Sequence, residues 1–459
     1  MKKQKQTDYI KKGAEAPAEF LEKTVVGAQS VANTLPTNKI TKKTKGYWNM
    51  LGPGLTTGAS GDDPSGIATY SQTGAQFGYQ FLWMAAWSFP LAVTIQEMCA
   101  RIGLVTGRGL AGNIRVFFNK KVLYACTILL FISNTINIGA NLGAMAKAAQ
   151  LLNPTLSFGW LVVGFTFLSL FLQIFTPYSR YARYLKWLAM VLLAYVFSAL
   201  LANLDWAHVV KDAVIPDLHF SKEAFIIICA VLGTTISPYL FFWQTSQEVE
   251  EQILQGKTTV RERRAATPVE DIKSMRIDVW SGIFLGQVVM FFIIAACGGI
   301  LYANGVTNIE TAAQAAEALR PFAGNATYFL FAIGLIGTGL LATPVLAGSS
   351  SYALSESFRW KEGLYRPLSQ AHAFYGIIII SMLVGLAINF LGIDPIKALI
   401  YSAFANGLVA PVILALIVLI SSNKKIMGRW TNKRSTTAIG WLAVTVMTTA
   451  GIAGIWALF

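Results

Sequence analysis

Charge is scarce in this sequence. Only 13% of its 459 residues are Asp, Glu, Lys or Arg, whereas 54% are hydrophobic and the mean hydropathy is +0.52. A water-soluble chain of this length needs far more polar surface, which argues against a soluble globular protein. Histidine is rarer still, with three residues, and cysteine is limited to Cys99, Cys126, Cys229 and Cys297. All four cysteines fall in apolar stretches without paired spacing. That argues against a disulfide framework or a zinc site and leaves them as small apolar fillers. No Ser/His/Asp set, metal-hydrolase spacing or nucleotide loop stands out, so neither catalysis nor a cofactor is expected. Residues 1–46 are polar and Lys-rich, without the apolar run of a signal peptide.

What is present is oil, in blocks about twenty residues long, the length a helix needs to cross a bilayer. Eleven spans are expected, at 47–74, 79–103, 121–149, 156–176, 184–203, 223–250, 277–302, 325–352, 371–393, 395–421 and 437–459. The expected class is an all-α, polytopic membrane protein. A cytoplasmic polar tail, 1–46, precedes a transmembrane domain, 47–459. The net charge of +14 could suggest nucleic acid, but its placement argues otherwise. With the N-terminus in the cytoplasm, 32 of the 37 Lys and Arg residues fall in inward segments and four, Lys211, Lys222, Arg320 and Lys397, in outward ones. Positive charge marks the cytoplasmic side, so this bias supports the span count, an inside N-terminus and an outside C-terminus together. The expected surroundings are a lipid bilayer, with no nucleic-acid partner.

Few ionisable groups lie well inside a span, and charge at the bilayer centre costs several kcal/mol, so each is a functional candidate. Glu97 and Arg101, four apart on a helix, are expected to form an ion pair. Lys147 can snorkel outward. Asp278 and Asp394 fall at span edges, within reach of water. Glu248, Glu250 and Glu251, at the inner end of span 6, either attract cations or pair with Arg263 or Arg264.

Asp62 and Asp63 have no such simple account. They stand in "GDDPSG", where Pro64 removes a backbone donor and disfavours helical geometry at Asp63. Broken backbone at membrane depth is tolerated only where it is buried in protein or lines a cavity. Span 6 is interrupted too, at "GTTISPY", Gly233 to Tyr239, around Pro238. Spans 1 and 6 open two successive five-span halves, about 47–203 and 223–421, followed by an extra helix at 437–459. An odd number of spans gives the halves opposite topology. Paired interruptions in inverted repeats are the best sequence pointer to a transporter's central site. Free carbonyls, the hydroxyls of Thr234, Thr235 and Ser237, and the carboxylates suit a hard cation. No His, Cys or Met falls in either break, which favours magnesium, calcium or manganese.

Three further stretches, "GPGLTTGASGDDPSG", "GAQFGYQFLW" and "QEMCARIGLVTGRGLAG", resemble the start of the natural resistance-associated macrophage protein (NRAMP) metal transporters. The likeness runs over most of the chain, including "VLAGSSSYALSESF", and is strongest over residues 50–113. It implies the inverted-repeat fold named after the bacterial leucine transporter, a divalent metal cation as cargo, and a plasma or inner membrane location. The family's first-span motif DPGN becomes Asp63, Pro64, Ser65 and Gly66 here, so the ligand Asp63 carries over and the asparagine is replaced by Gly66. The sixth-span MPH becomes Ser237, Pro238 and Tyr239, and Thr234 falls where the family offers a backbone carbonyl. The family's acidic pair linked to proton movement is replaced by Asn137 and Ala140. A family glutamine in span 10 falls at Ala403, with Asn406 nearby.

Losing a thioether removes discrimination in favour of soft metals, and losing titratable groups weakens a proton path. The pattern is similar to the NRAMP-related magnesium transporters. Asp62 enters as a second oxygen ligand or as a second-shell or gating residue. The leading expectation is alternating-access transport of magnesium or manganese with weak or absent proton coupling. A proton-coupled manganese or iron importer, and a carrier of a small organic cation or amino acid, remain as alternatives. A sensor that binds an ion without moving it is disfavoured, because no soluble signalling domain is attached.

Overall fold

The computed structural model describes residues 52–176, 193–201, 204–216, 221–265, 267–309, 312–317, 324 and 327–459. The tail 1–46, the basic segment 180–186, most of span 5, His219 and Arg320 lie outside the described residues. Regular structure among the described residues is helical throughout. The first half holds α1 (Pro53–Gly61), α2 (Pro64–Phe77), α3 (Trp83–Thr106), α4 (Leu110–Phe117), α5 (Lys120–Leu152), α6 (Phe158–Phe175), α7 (Leu193–Leu201) and α8 (Trp206–Val214). The second half holds α9 (Lys222–Thr235), α10 (Pro238–Leu254), α11 (Val260–Ala265), α12 (Val269–Ile300), α13 (Ala312–Glu317), α14 (Thr327–Phe358), α15 (His372–Ile388) and α16 (Pro395–Ser421). Two more, α17 (Lys424–Met427) and α18 (Arg434–Ala457), follow. Among the described residues, seven helical stretches are long and apolar enough to cross a membrane, one of them running from Lys222 to Leu254 through the second break.

The starts of these helices follow local chemistry. Proline stands at the first turn of α1, α2, α10 and α16, where its missing N–H costs nothing. Asp394 caps α16 by accepting from Ile396 N (3.0 Å) and Lys397 N (3.1 Å). The start of α1 is capped from another helix. Asp278 of α12 accepts from Gly52 N (2.7 Å), Gly54 N (2.6 Å) and Leu55 N (3.0 Å). Asp278 therefore does not sit at a wet span edge. The helix begins at Val269 rather than 277, which carries Asp278 inside it, where it is 3% exposed.

Close backbone contact then fixes the helices around the breaks, as expected where apolar burial cannot drive association within lipid. A Cβ at Gly58 would collide with the backbone of Gly282, so α1 and α12 touch main chain to main chain. At Gly233, beside the second break, a Cβ would lie 2.5 Å from Gly407 N of α16.

Glu97 and Arg101 form the expected ion pair (3.1 Å), and Arg276 joins it at 2.9 Å. Lys147 is exposed and lies 5.2 Å from the Phe158 ring centroid. All four cysteines are buried and unpaired by disulfides.

Candidate cation site

The first break is two residues wide. After α1, Asp62 adopts φ −95° and ψ 48°, and Asp63 is extended at φ −66° and ψ 174° before Pro64 starts α2. The second break spans Ile236 (φ −116°, ψ 60°) and Ser237 (φ −82°, ψ 131°), before Pro238 starts α10. The two breaks meet. Thr234 Oγ1 donates to the Gly61 carbonyl (3.3 Å), and Tyr239 OH donates to the Ser60 carbonyl (2.6 Å). Gly66 lines the same junction. A Cβ there would lie 3.1 Å from both Gly61 O and Thr234 Oγ1, a tight fit for the asparagine that the family motif carries.

Asp63 is fully buried and accepts four hydrogen bonds. Ser65 Oγ (2.5 Å) and Gly66 N (2.9 Å) donate to Oδ1. Asn137 Nδ2 (3.2 Å) and Asn141 Nδ2 (3.1 Å) donate to Oδ2 from α5. Asn137 Oδ1 in turn accepts from Ser402 Oγ of α16 (3.2 Å). All of these partners are neutral. Ser237 Oγ shares its proton between the carbonyls of Gly233 (2.6 Å) and Thr234 (2.7 Å), which leaves the oxygen's lone pairs for an ion.

The junction brings together Asp63, Gly66 and Thr234, Ser237 binds the Thr234 carbonyl within the second break, and Tyr239 ties that break to Ser60 of α1. Asn137 belongs to the site through Asp63. Asn406 does not bond to Asp63. Its Oδ1 accepts from Ser133 Oγ (2.6 Å), a separate link between α16 and α5. Of the two roles left open for Asp62, a ligand beside Asp63 or a supporting or gating residue, its placement favours the second. Its Oδ2 lies 3.0 Å from where a Cβ on Gly286 of α12 would stand, whereas Asp63 faces α5. The bend that admits Pro64 points consecutive side chains apart.

Asn141 was missed by the sequence reading, although a signal exists. Asn134, Asn137 and Asn141 follow i, i+3, i+7 spacing, an amide stripe on one face of an otherwise apolar helix. Asn134 uses that face to bind Leu346 O (3.1 Å) and the hydroxyls of Ser349 and Ser350 (2.9 Å each) on α14.

Glu248 and Glu250, at the end of α10, are bound by neutral donors. Glu248 accepts from Gln244 Nε2 (2.8 Å), and Glu250 from Tyr352 OH and Leu364 N. Arg263 is held by the carbonyls of Gly107 (3.0 Å), Lys257 (3.1 Å) and Thr258 (2.9 Å), and burial pushes its guanidinium below the usual range. Among the described residues, no three His, Cys, Asp or Glu side chains cluster as a metal cage. The chemistry on offer at the junction is one carboxylate with hydroxyl, amide and backbone oxygens.

Over residues 54–457 the chain matches the family described as natural resistance-associated macrophage protein-like. The divalent metal cation transporter MntH of Klebsiella pneumoniae subsp. pneumoniae is 29% identical over 402 residues, covering 87% of this chain and 91% of that protein. MntH of Yersinia enterocolitica is 26% identical over 406 residues, covering 87% and 92%. A crystal structure of the Eremococcus coleocola manganese transporter shares the fold with a TM-score of 0.69 at 20% identity, over 92% of this chain and 89% of that one. Mhp1, a nucleobase-cation-symport-1 family transporter in a closed conformation, reaches 0.53 at 17% identity, over 89% and 91%. The helical architecture, the paired breaks and the match over most of its length place one conclusion beyond fold class: the chain belongs to the natural resistance-associated macrophage protein family of membrane transporters and is not an enzyme.

Proposed function

We propose that this chain is a secondary transporter that carries a divalent metal cation, magnesium or manganese, by alternating access, with Asp63 as the central ligand. The observation that carries the reading is the setting of Asp63: a fully buried carboxylate at the meeting of two helix breaks, held by neutral donors alone. An uncompensated charge in such a place is costly, and a cation offsets it. The neighbouring hydroxyls and carbonyls of Thr234 and Ser237 are hard oxygen donors, suited to magnesium or manganese. The names of the relatives, divalent metal cation transporter and manganese transporter, support the cargo class. Loss of the family's acidic pair supports weak or absent proton coupling, because Asn137 carries no proton to give. The charge bias supports an N-terminus in the cytoplasm and a C-terminus outside, and the named relatives support a plasma or inner membrane location.

The manganese named for one relative fits a second reading as well, a proton-coupled manganese or iron importer. One experiment separates the two. Purified protein in liposomes with an internal pH dye is offered magnesium, manganese and calcium in competition. The expected result is magnesium and manganese uptake without acidification, abolished in Asp63→Ala while the variant keeps a cooperative melting curve. Manganese-only uptake with acidification favours the second reading. Absence of any divalent-ion uptake overturns both and favours an organic cargo.

A further inference from the structure

We infer that Asp62 builds a second cation site, distinct from the cargo site, with the charge and size to hold a sodium ion. Asp62 is 3% exposed, and its Oδ2 is buried without a hydrogen-bond partner. It faces a cavity of about 20 Å³, enough for one water or one small ion. The polar lining comes from four elements: Gly58 and Gly61 of α1, Tyr70 of α2, Thr235 of α9 and Gln287 of α12. Tyr70 OH lies 3.3 Å from Thr235 Oγ1, and Gln287 Oε1 accepts from Ser88 Oγ at 3.2 Å. No Lys or Arg lines the cavity.

A buried polar atom without a partner calls for an explanation, and a carboxylate that stays ionised in a low-dielectric setting calls for a counter-charge. A water molecule fills the space but leaves the charge. The lining supplies one negative charge and otherwise neutral oxygens, so a single positive charge balances it and a divalent ion overshoots. The small volume favours sodium over potassium. Gly286 keeps the space open, because a Cβ there would lie 3.0 Å from Asp62 Oδ2. An ion here ties α12 to both broken helices and fixes the bend that presents Asp63, so it is coupled to cargo binding.

The test uses the full-length protein in detergent without divalent ions, comparing sodium chloride with N-methyl-D-glucamine chloride at equal ionic strength and one fixed pH. Sodium is expected to raise the melting temperature by about 2 °C or more. The shift is expected to vanish in Asp62→Asn, and in Gly286→Ala, which retains the charge but closes the space. Asp63→Asn is expected to keep the shift, so failure of the cargo reading and failure of this one are distinguishable. In liposomes, replacing sodium is expected to lower manganese uptake at sub-saturating concentration by about fivefold. Equal melting in the two salts overturns the site, as does a sodium shift that survives in Asp62→Asn. A potassium shift as large as that of sodium overturns the size assignment.

Discussion

Asp63 meets two amides that a cation must compete with or recruit. Asn137 and Asn141 both donate to its Oδ2, and a divalent ion bound there takes over part of their role. Removing one donor leaves a buried carboxylate less satisfied, which costs about 1–3 kcal/mol. Asn141→Ala is therefore expected to melt at a lower temperature than the wild type. Added manganese should recover more stability in the variant than in the wild type, because the ion replaces a donor that only the variant lacks. Equal manganese shifts in the two proteins, measured by differential scanning fluorimetry, would show that the ion does not bind at this oxygen. In the proposed site, selectivity is set on the other side of the junction, where Ser237 carries a hydroxyl. Ser237→Met places a thioether there and is expected to make cadmium a stronger competitor of uptake by about tenfold, with weaker competition by magnesium. The measurement is competition by each ion against manganese uptake in liposomes.

At the scale of the helices, prolines alone do not mark the breaks. Pro90, Pro344 and Pro411 lie inside continuous helices, whereas Pro64 and Pro238 follow breaks. Within the continuous α14, Gln173 Nε2 of α6 donates to the Pro344 carbonyl (2.9 Å), so a neighbouring helix adds a bond beside that proline. What made the two breaks legible in sequence was the company of acids, glycines and hydroxyls, together with their matching places in the two halves. The seven long apolar helices among the described residues were legible for a related reason, since apolar length is a local property. Partners between helices were not. Asp278 read as an edge residue because its three bonds go to Gly52, Gly54 and Leu55, more than two hundred positions away. For Asp62 the sequence left a ligand role and a supporting or gating role open, because adjacency does not reveal that the bend turns Asp62 to α12 and Asp63 to α5. Asp278 also gives a test at this scale. Asp278→Ala leaves the start of α1 without its charged acceptor and is expected to lower stability by about 2 kcal/mol or more, with reduced uptake. Asp394→Ala removes a more exposed cap, and a smaller loss is expected. Comparable melting of the two variants would mean that Asp278 does not anchor α1.

Across the whole molecule, three of the basic segments that gave the charge bias bind one another at one end, and Arg115 also holds the end of α14. Arg101 reaches Trp430 O and Asn432, Arg263 reaches Gly107 O, Arg429 reaches Thr267 O, and Arg115 reaches Glu356 O. The same charges that bias topology thus fasten the loops at the end proposed to face the cytoplasm. Acids are buried with them. Glu362, in the segment joining α14 to α15, has a buried Oε2 without a partner. Burial, with the carboxylates of Glu356 and Glu250 nearby, pushes Glu362 well above the usual carboxylate range, against the opposing pull of Arg115 and Arg263. The folded protein thus holds the Glu362 proton more tightly than the unfolded chain, in which a glutamate titrates near ~4.3. The stabilisation tied to that proton is complete below the unfolded value and is lost as pH rises through the raised folded value. Glu362→Gln stays neutral throughout. It is expected to fall less steeply in melting temperature than the wild type between about pH 5 and pH 8, starting from the unfolded carboxylate range. Parallel curves for the two proteins would show that Glu362 is ionised in the fold and that the basic end neutralises it fully.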